Sequence, residues 1–171
     1  MKTFQEIISV AVKIEEEGAE FYRKTGQKSK NPLVAATFEF LANEEDKHVK
    51  LFKEYAQNKK NINVQALEHA HISPRDGIKK IFDEKSKQRI QNIASKDSDK
   101  VDAYNEGIKI EQKSYQLYKS HINTVDREDE KRLLQYLCDQ ESSHLEILQG
   151  SKDFLENPAD WFQKEERWMQ T

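Results

Sequence analysis

The chain has 171 residues and a mass of 20.1 kDa, enough for one domain with a real core and cramped for two. Charged residues make up 35 % of it, yet the net charge is only −3 and both signs are mixed along the chain, which excludes the basic stripe of a nucleic-acid-binding protein and an acidic tail. Only five Gly and three Pro interrupt regularly spaced apolar residues, so long amphipathic helices and an all-α fold are expected.

The first residues, Met1-Lys-Thr-Phe-Gln-Glu, lack the apolar run of a signal peptide, and no stretch approaches the ~20 apolar residues that span a bilayer. A soluble, cytoplasmic protein is the expectation. Phe4, Ile7, Ile8, Ala11, Glu15, Gly18 and Tyr22 recur at steps of three and four, placing Glu15 inside the apolar stripe of a helix that runs to about Gly26. Asn31-Pro32 has the form of an N-cap followed by proline at the first helical position. The next stripe, Val34, Phe38, Leu41, Glu45, His48 and Phe52, again carries chemistry-bearing residues on an apolar face.

From Asn58 to about Lys100 the pattern loosens, with a helix start at Ser73-Pro74 and a short helix within Ile78 to Ile93. Two antiparallel helices need only a few linking residues, so about 40 residues here point to a crossover along the length of a bundle. Asp97-Ser98 is placed to cap a third long helix, with the stripe Tyr104, Ile108, Glu111, Tyr115, Tyr118 and Ile122. A fourth begins around Asp126, with the stripe Leu134, Leu137, Glu141, His144 and Leu148, and Gly150 is placed to end it. Asn157-Pro158 opens a short aromatic segment, Trp161 to Trp168, expected as a C-terminal helical tail over 151–171 that packs on the 1–150 bundle or on a neighbouring subunit.

One motif is written twice. Glu45-x-x-His48 returns 96 residues later as Glu141-x-x-His144, and each is preceded by a Glu at 30 residues, Glu15 and Glu111, with a Tyr seven residues beyond each of those, Tyr22 and Tyr118. In a helix a Glu and a His three apart project from nearly the same side, so each pair can approach one metal. Two further Glu, one from each of two other helices, complete the donor set of a carboxylate-bridged di-metal site in a helix bundle. Four carboxylates on core stripes would carry a large desolvation cost alone, and two divalent cations would cancel their charge. Oxygen and imidazole donors suit iron or manganese, and zinc also fits.

Other residues are assigned plainer roles. Glu16, Glu17, Glu20, Glu44 and Asp46 fall off the stripes and are expected to be solvated, as are His69, His71 and His121. Cys138 has no partner for an internal disulfide or a Cys-x-x-Cys site, and is expected as a small packing residue. Tyr22 and Tyr118 are placed to hydrogen-bond carboxylate ligands.

Over about residues 4–150 the paired Glu and Glu-x-x-His pattern resembles the ferritin-like superfamily, and within it the rubrerythrin-like di-iron proteins. The resemblance implies an all-α, ferritin-like four-helix bundle with a long crossover between the second and third helices. It implies Glu15 and Glu111 as terminal ligands of two iron ions, Glu45 and Glu141 as bridging ligands, and His48 and His144 each capping one metal. It also implies a homodimer and an oxidoreductase that reduces hydrogen peroxide or dioxygen in oxidative-stress defence, against the alternatives of a ferroxidase or iron-handling protein and of a bundle with a structural metal. Full rubrerythrins also have a four-cysteine rubredoxin domain; with one cysteine here, the expected electron donor is a separate, rubredoxin-type protein. Where rubrerythrins have an additional Glu three residues after the ligand of the third helix, this chain has Ser114, so its set is the more symmetric one of bacterioferritin-type and erythrin-like sites.

Overall fold

The computed structural model describes residues 2–58, 63–69, 73–81 and 98–159. Four long helices dominate: α1 (Phe4–Lys28), α2 (Pro32–Asn58), α5 (Ser98–His121) and α6 (Glu128–Glu156), with two short ones, α3 (Val64–His69) and α4 (Pro74–Ile81), between α2 and α5. The architecture is the all-α helix bundle expected from the stripes, with the long connection between the second and third long helices that the resemblance implied.

Local signals start these helices where the side chains can satisfy free backbone N–H groups. Thr3 and Glu6 form a reciprocal capping box at α1. At α2, Asn31 Oδ1 accepts from the N–H groups of Leu33 at 2.9 Å and Val34 at 3.3 Å, and Pro32 occupies the position that needs no donor. Ser73 caps α4 by accepting from the N–H of Asp76 at 3.1 Å. At α6 the acidic first turn, Glu128, Asp129 and Glu130, faces the positive end of the helix dipole.

Pairs across the bundle set its topology. Tyr22 touches Gly107 while Glu15 meets Tyr118, so α1 and α5 are antiparallel. Thr37 meets Ser151 while Tyr55 meets Glu130, so α2 and α6 are antiparallel too. With α1–α2 and α5–α6 as hairpins, α2 and α5 run the same way, and the chain between them must return along the bundle. At 1.5 Å per residue the 27 residues of α2 span roughly 40 Å, which accounts for the length of that connection.

The apolar residues form two clusters. One gathers Tyr22, Leu33, Phe38, Leu41, Tyr104, Leu148 and Phe154; the other Ile7, Ala11, Phe52, Tyr118, Leu134 and Leu137. The duplicated Glu and His residues belong to neither and lie buried in the layer between the two.

Two local readings are corrected, at Gly150 and at Glu44. Gly150 does not end α6, which continues to Glu156 because Phe154 and Leu155, about one turn further on, are buried in the first cluster. Burial of those side chains outweighs the roughly 1 kcal/mol helix penalty of one glycine. α1 runs to Lys28, in keeping with an end near Gly26, and the N–H of Ser29 closes the helix on the Thr25 and Gly26 carbonyls. Glu44 is not solvated: it is 6 % exposed and pairs with Lys47. Glu16, Glu17, Glu20 and Asp46 are exposed as expected, as is His69, and Cys138 is buried with a thiol pushed up to about 11 by burial. His121 is half-buried, its Nδ1 lying 2.7 Å from the Leu117 carbonyl. The Asp97 cap, His71, the rest of the Ile78 to Ile93 helix beyond Ile81, and the tail around Trp161 to Trp168 fall outside the described residues.

Truncating the α2 cap tests the link from sequence signal to helix. Asn31→Ala should lower unfolding free energy by about 1 kcal/mol, read by chemical denaturation.

Candidate metal centre

Every long helix delivers one acidic side chain to the middle of the bundle: Glu15 from α1, Glu45 from α2, Glu111 from α5 and Glu141 from α6. His48 and His144 follow one turn after Glu45 and Glu141, as the i, i+3 spacing requires. None of the six is more than 3 % exposed.

The arrangement is pseudo-symmetric down to single atoms. His48 Nδ1 lies 3.5 Å from Glu15 Oε2, 3.3 Å from Glu45 Oε2 and 3.3 Å from Glu141 Oε1. His144 Nδ1 lies 3.0 Å from Glu45 Oε1, 3.3 Å from Glu111 Oε2 and 3.5 Å from Glu141 Oε2. Glu45 and Glu141 therefore each turn one oxygen toward one histidine and the second oxygen toward the other. Glu15 serves only the His48 side and Glu111 only the His144 side. The two imidazoles stack, with centroids 5.4 Å apart and 18° between planes.

Two groups of four donors result, Glu15, Glu45, His48 and Glu141, and Glu45, Glu111, Glu141 and His144, each with one atom per residue within 4.8 Å of the others. Both carboxylate oxygens of Glu45 and of Glu141, and Nδ1 of His48, are buried without a hydrogen-bond partner. Buried polar atoms are rarely left so, because an unmet acceptor costs about 1–3 kcal/mol. The donors converge with the hardness and geometry that a pair of first-row divalent cations takes, so the residues fit a di-metal group.

Two tyrosines cross the bundle to hold the outer carboxylates. Tyr22 on α1 donates to Glu111 on α5, and Tyr118 on α5 donates to Glu15 on α1. Each tyrosine thus steadies the ligand of the opposite repeat. Gly107 makes this possible on one side: a Cβ there would meet Tyr22 Cε1 at 3.2 Å, and the bare backbone lets the ring lie close enough for its hydroxyl also to donate to the Gly107 carbonyl at 3.1 Å. Ser114 is likewise buried, one turn beyond Glu111 on α5.

Proton affinities show what the metal-free site does with its charge. Burial raises Glu45 well above the usual carboxylate range, helped by the charges of Glu15, Glu111 and Glu141. Burial with the charges of Glu15 and Glu111 pushes Glu141 up to about 8. On Glu15 burial acts upward too, but contacts with Glu45 and His48 and the Tyr118 hydrogen bond outweigh it and lower its pKa. Glu111 falls to about 2, where contacts with Glu141, His144 and Tyr22 overcome burial. Burial would lower His48 and His144, yet their carboxylate neighbours raise both well above the ordinary imidazole value. Near neutral pH two protonated carboxyls, two carboxylates and two imidazolium ions sum to zero. Four protons then balance the charge that two divalent cations would balance.

Two outcomes follow from linkage. Loading with divalent cations at pH 7 should release protons, up to four for two ions, in a weakly buffered indicator titration. Because Glu141 titrates near 8 when folded against 4.5 in the open chain, and the histidines are also raised, the folded metal-free chain holds the extra protons. Its melting temperature should therefore fall as pH rises from about 5 to about 9, and loading with metal should remove most of that slope.

Among the described residues no helix is long and apolar enough to cross a membrane. No curated protein and no solved structure matches the chain. The rubrerythrin family model matches residues 6–152, a span that contains all four long helices nearly whole and all six converging Glu and His side chains. The chain belongs to the rubrerythrin family.

Proposed function

We propose that the centre holds two iron ions and that the protein is an oxidoreductase that reduces hydrogen peroxide or dioxygen in oxidative-stress defence. The observation that supports this reading is the pair of orphaned, fully buried carboxylates, Glu45 and Glu141, each shared between His48 and His144. Glu15 and His48 would hold one ion, Glu111 and His144 the other, and Glu45 and Glu141 would hold both. When bound there, the iron pair supplies two electrons to a small oxidant.

The protein's part is to keep this site dry, neutral and rigid. The apolar clusters above and below exclude water, which strengthens each ligand's interaction with its ion. Tyr22 and Tyr118 orient the terminal carboxylates from outside the ligand set, and a hydrogen-bonded carboxylate keeps its position while the charge it faces changes. Electrons would come from a separate, rubredoxin-type donor, and the working form would be a cytoplasmic homodimer. Manganese or zinc in place of iron would leave the fold intact and remove the two-electron chemistry for zinc.

An anaerobic Fe(II) titration of metal-free protein tests the reading. Saturation at two irons per chain, followed by oxidation with stoichiometric peroxide faster than free Fe(II), is the expected result. Glu141→Ala should reduce the stoichiometry to one iron or fewer, because both ions lose a shared ligand. Preferential oxidation by dioxygen would indicate a ferroxidase or oxidase, and absence of stoichiometric binding would overturn the di-iron reading.

A further inference from the structure

The two sides of the centre are alike in their ligands and unlike in what covers them. The 96-residue repeat equates Tyr136 with Phe40 and Leu51 with Ile147. On the His144 side α4 packs down on Phe40 and Ile147 so closely that a Cβ on Gly77 would come within 3.4 Å of Phe40 Cζ and 2.7 Å of Ile147 Cδ1. Any larger residue would have to displace the end of the Ile147 side chain, and Ile147 is 1 % exposed beneath the helix.

On the His48 side the equivalent residues, Tyr136 and Leu51, line a groove of about 350 Å³ between α2, α3 and α6. His48 lies in its wall, together with Glu44 and Gln140, the residues that immediately precede the shared ligands Glu45 and Glu141. Glu44, buried although it lies off the apolar stripe, lines the same wall opposite Tyr136 and Gln140 of α6 and pairs with Lys47.

Resting on the di-iron reading above, we propose that this groove is the route by which a small neutral oxidant, hydrogen peroxide or dioxygen, reaches the centre, and that it arrives on the His48 side. Its volume holds about ten waters at ~30 Å³ each, ample for a two-oxygen molecule. The groove's acidic and basic side chains, Glu44 and Glu54 against Lys47 and Lys50, balance in number, so beside a metal-bound, neutral His48 the lining carries no net charge to select ions. Leu51, Leu67 and the Tyr136 ring supply an apolar surface that a neutral molecule crosses without losing strong hydration. The duplicated set is thereby made one-sided in its surroundings: His48 lies in the wall of a groove, whereas α4 packs on Ile147, one turn beyond His144.

Dissolved dioxygen is paramagnetic and speeds the relaxation of protons it approaches, so the route can be read without turnover. The measurement uses the full chain, with and without diamagnetic zinc, under oxygen pressure. Ring protons of His48 and methyl protons of Leu51 and Leu67 should relax several-fold faster than those of His144 and Ile147. Leu67→Trp, filling the groove from α3, should bring His48 down toward His144; Glu54→Trp on the exposed rim does the same should the first variant fail to fold. Ser9→Trp, in a separate groove between α1 and α5, should change neither histidine. Equal relaxation at the two histidines, a larger effect at His144, or a His48 response indifferent to both filling variants would overturn the route. Iron stoichiometry is scored independently: loss of iron binding with the oxygen gradient intact would count against the di-iron reading alone.

Discussion

Four carboxylates share the interior of a bundle of apolar helices, and the rest of the structure answers to that one electrostatic constraint. Placed there as anions without compensation they would repel one another at short range and lose hydration, a cost of several kcal/mol per ion even after relaxation. The metal-free fold meets it with protons, on Glu45, Glu141 and both histidines; the reading favoured here meets it with two cations of the same total charge. Either solution is neutral, which is why the site can sit between two clusters of fully buried aromatic and aliphatic side chains.

The same constraint explains the crossed tyrosines. A terminal carboxylate has one oxygen committed to the centre and a second that would otherwise be buried without a donor. Tyr22 and Tyr118 satisfy those second oxygens from the opposite repeat, tying α1 to α5 at two levels. Each ring at the same time belongs to one of the two apolar clusters, so core packing and ligand positioning rest on one side chain. Burial and the nearby carboxylates keep both phenols strongly protonated, so they remain donors over the working pH range.

A duplicated sequence would make a symmetric protein if its connections were symmetric, and they are not. The hairpins α1–α2 and α5–α6 repeat each other, but the segment between α2 and α5 occurs once and must lie on one face of the bundle. Its described helices both pack on α6, α3 through buried Val64 and α4 through Gly77 against Ile147, and they differ in length and fit. The difference between the surroundings of His48 and His144 has its origin there, in chain connectivity, with the ligands themselves unchanged.

Much of this was determined by the sequence itself, for a physical reason: helical periodicity is local. The i, i+3 spacing of Glu45 with His48 and of Glu141 with His144, in phase with Phe38, Phe52, Leu137 and Leu148, is enough to say that these residues point inward, and the repeat of Glu15 and Glu111 supplies the missing donors. The caps at Asn31 and Ser73 are equally legible, since an N-cap acts within three residues. What needed the tertiary structure was every property set by a neighbour distant in the chain. Glu44 lies off the stripe of its own helix and is buried because α6 covers it; Gly150 stays helical because Phe154 and Leu155 find the first apolar cluster. Which carboxylate each tyrosine holds, and which histidine faces a groove, depend on how helices cross and where a connection lies, and no spacing along one helix encodes either.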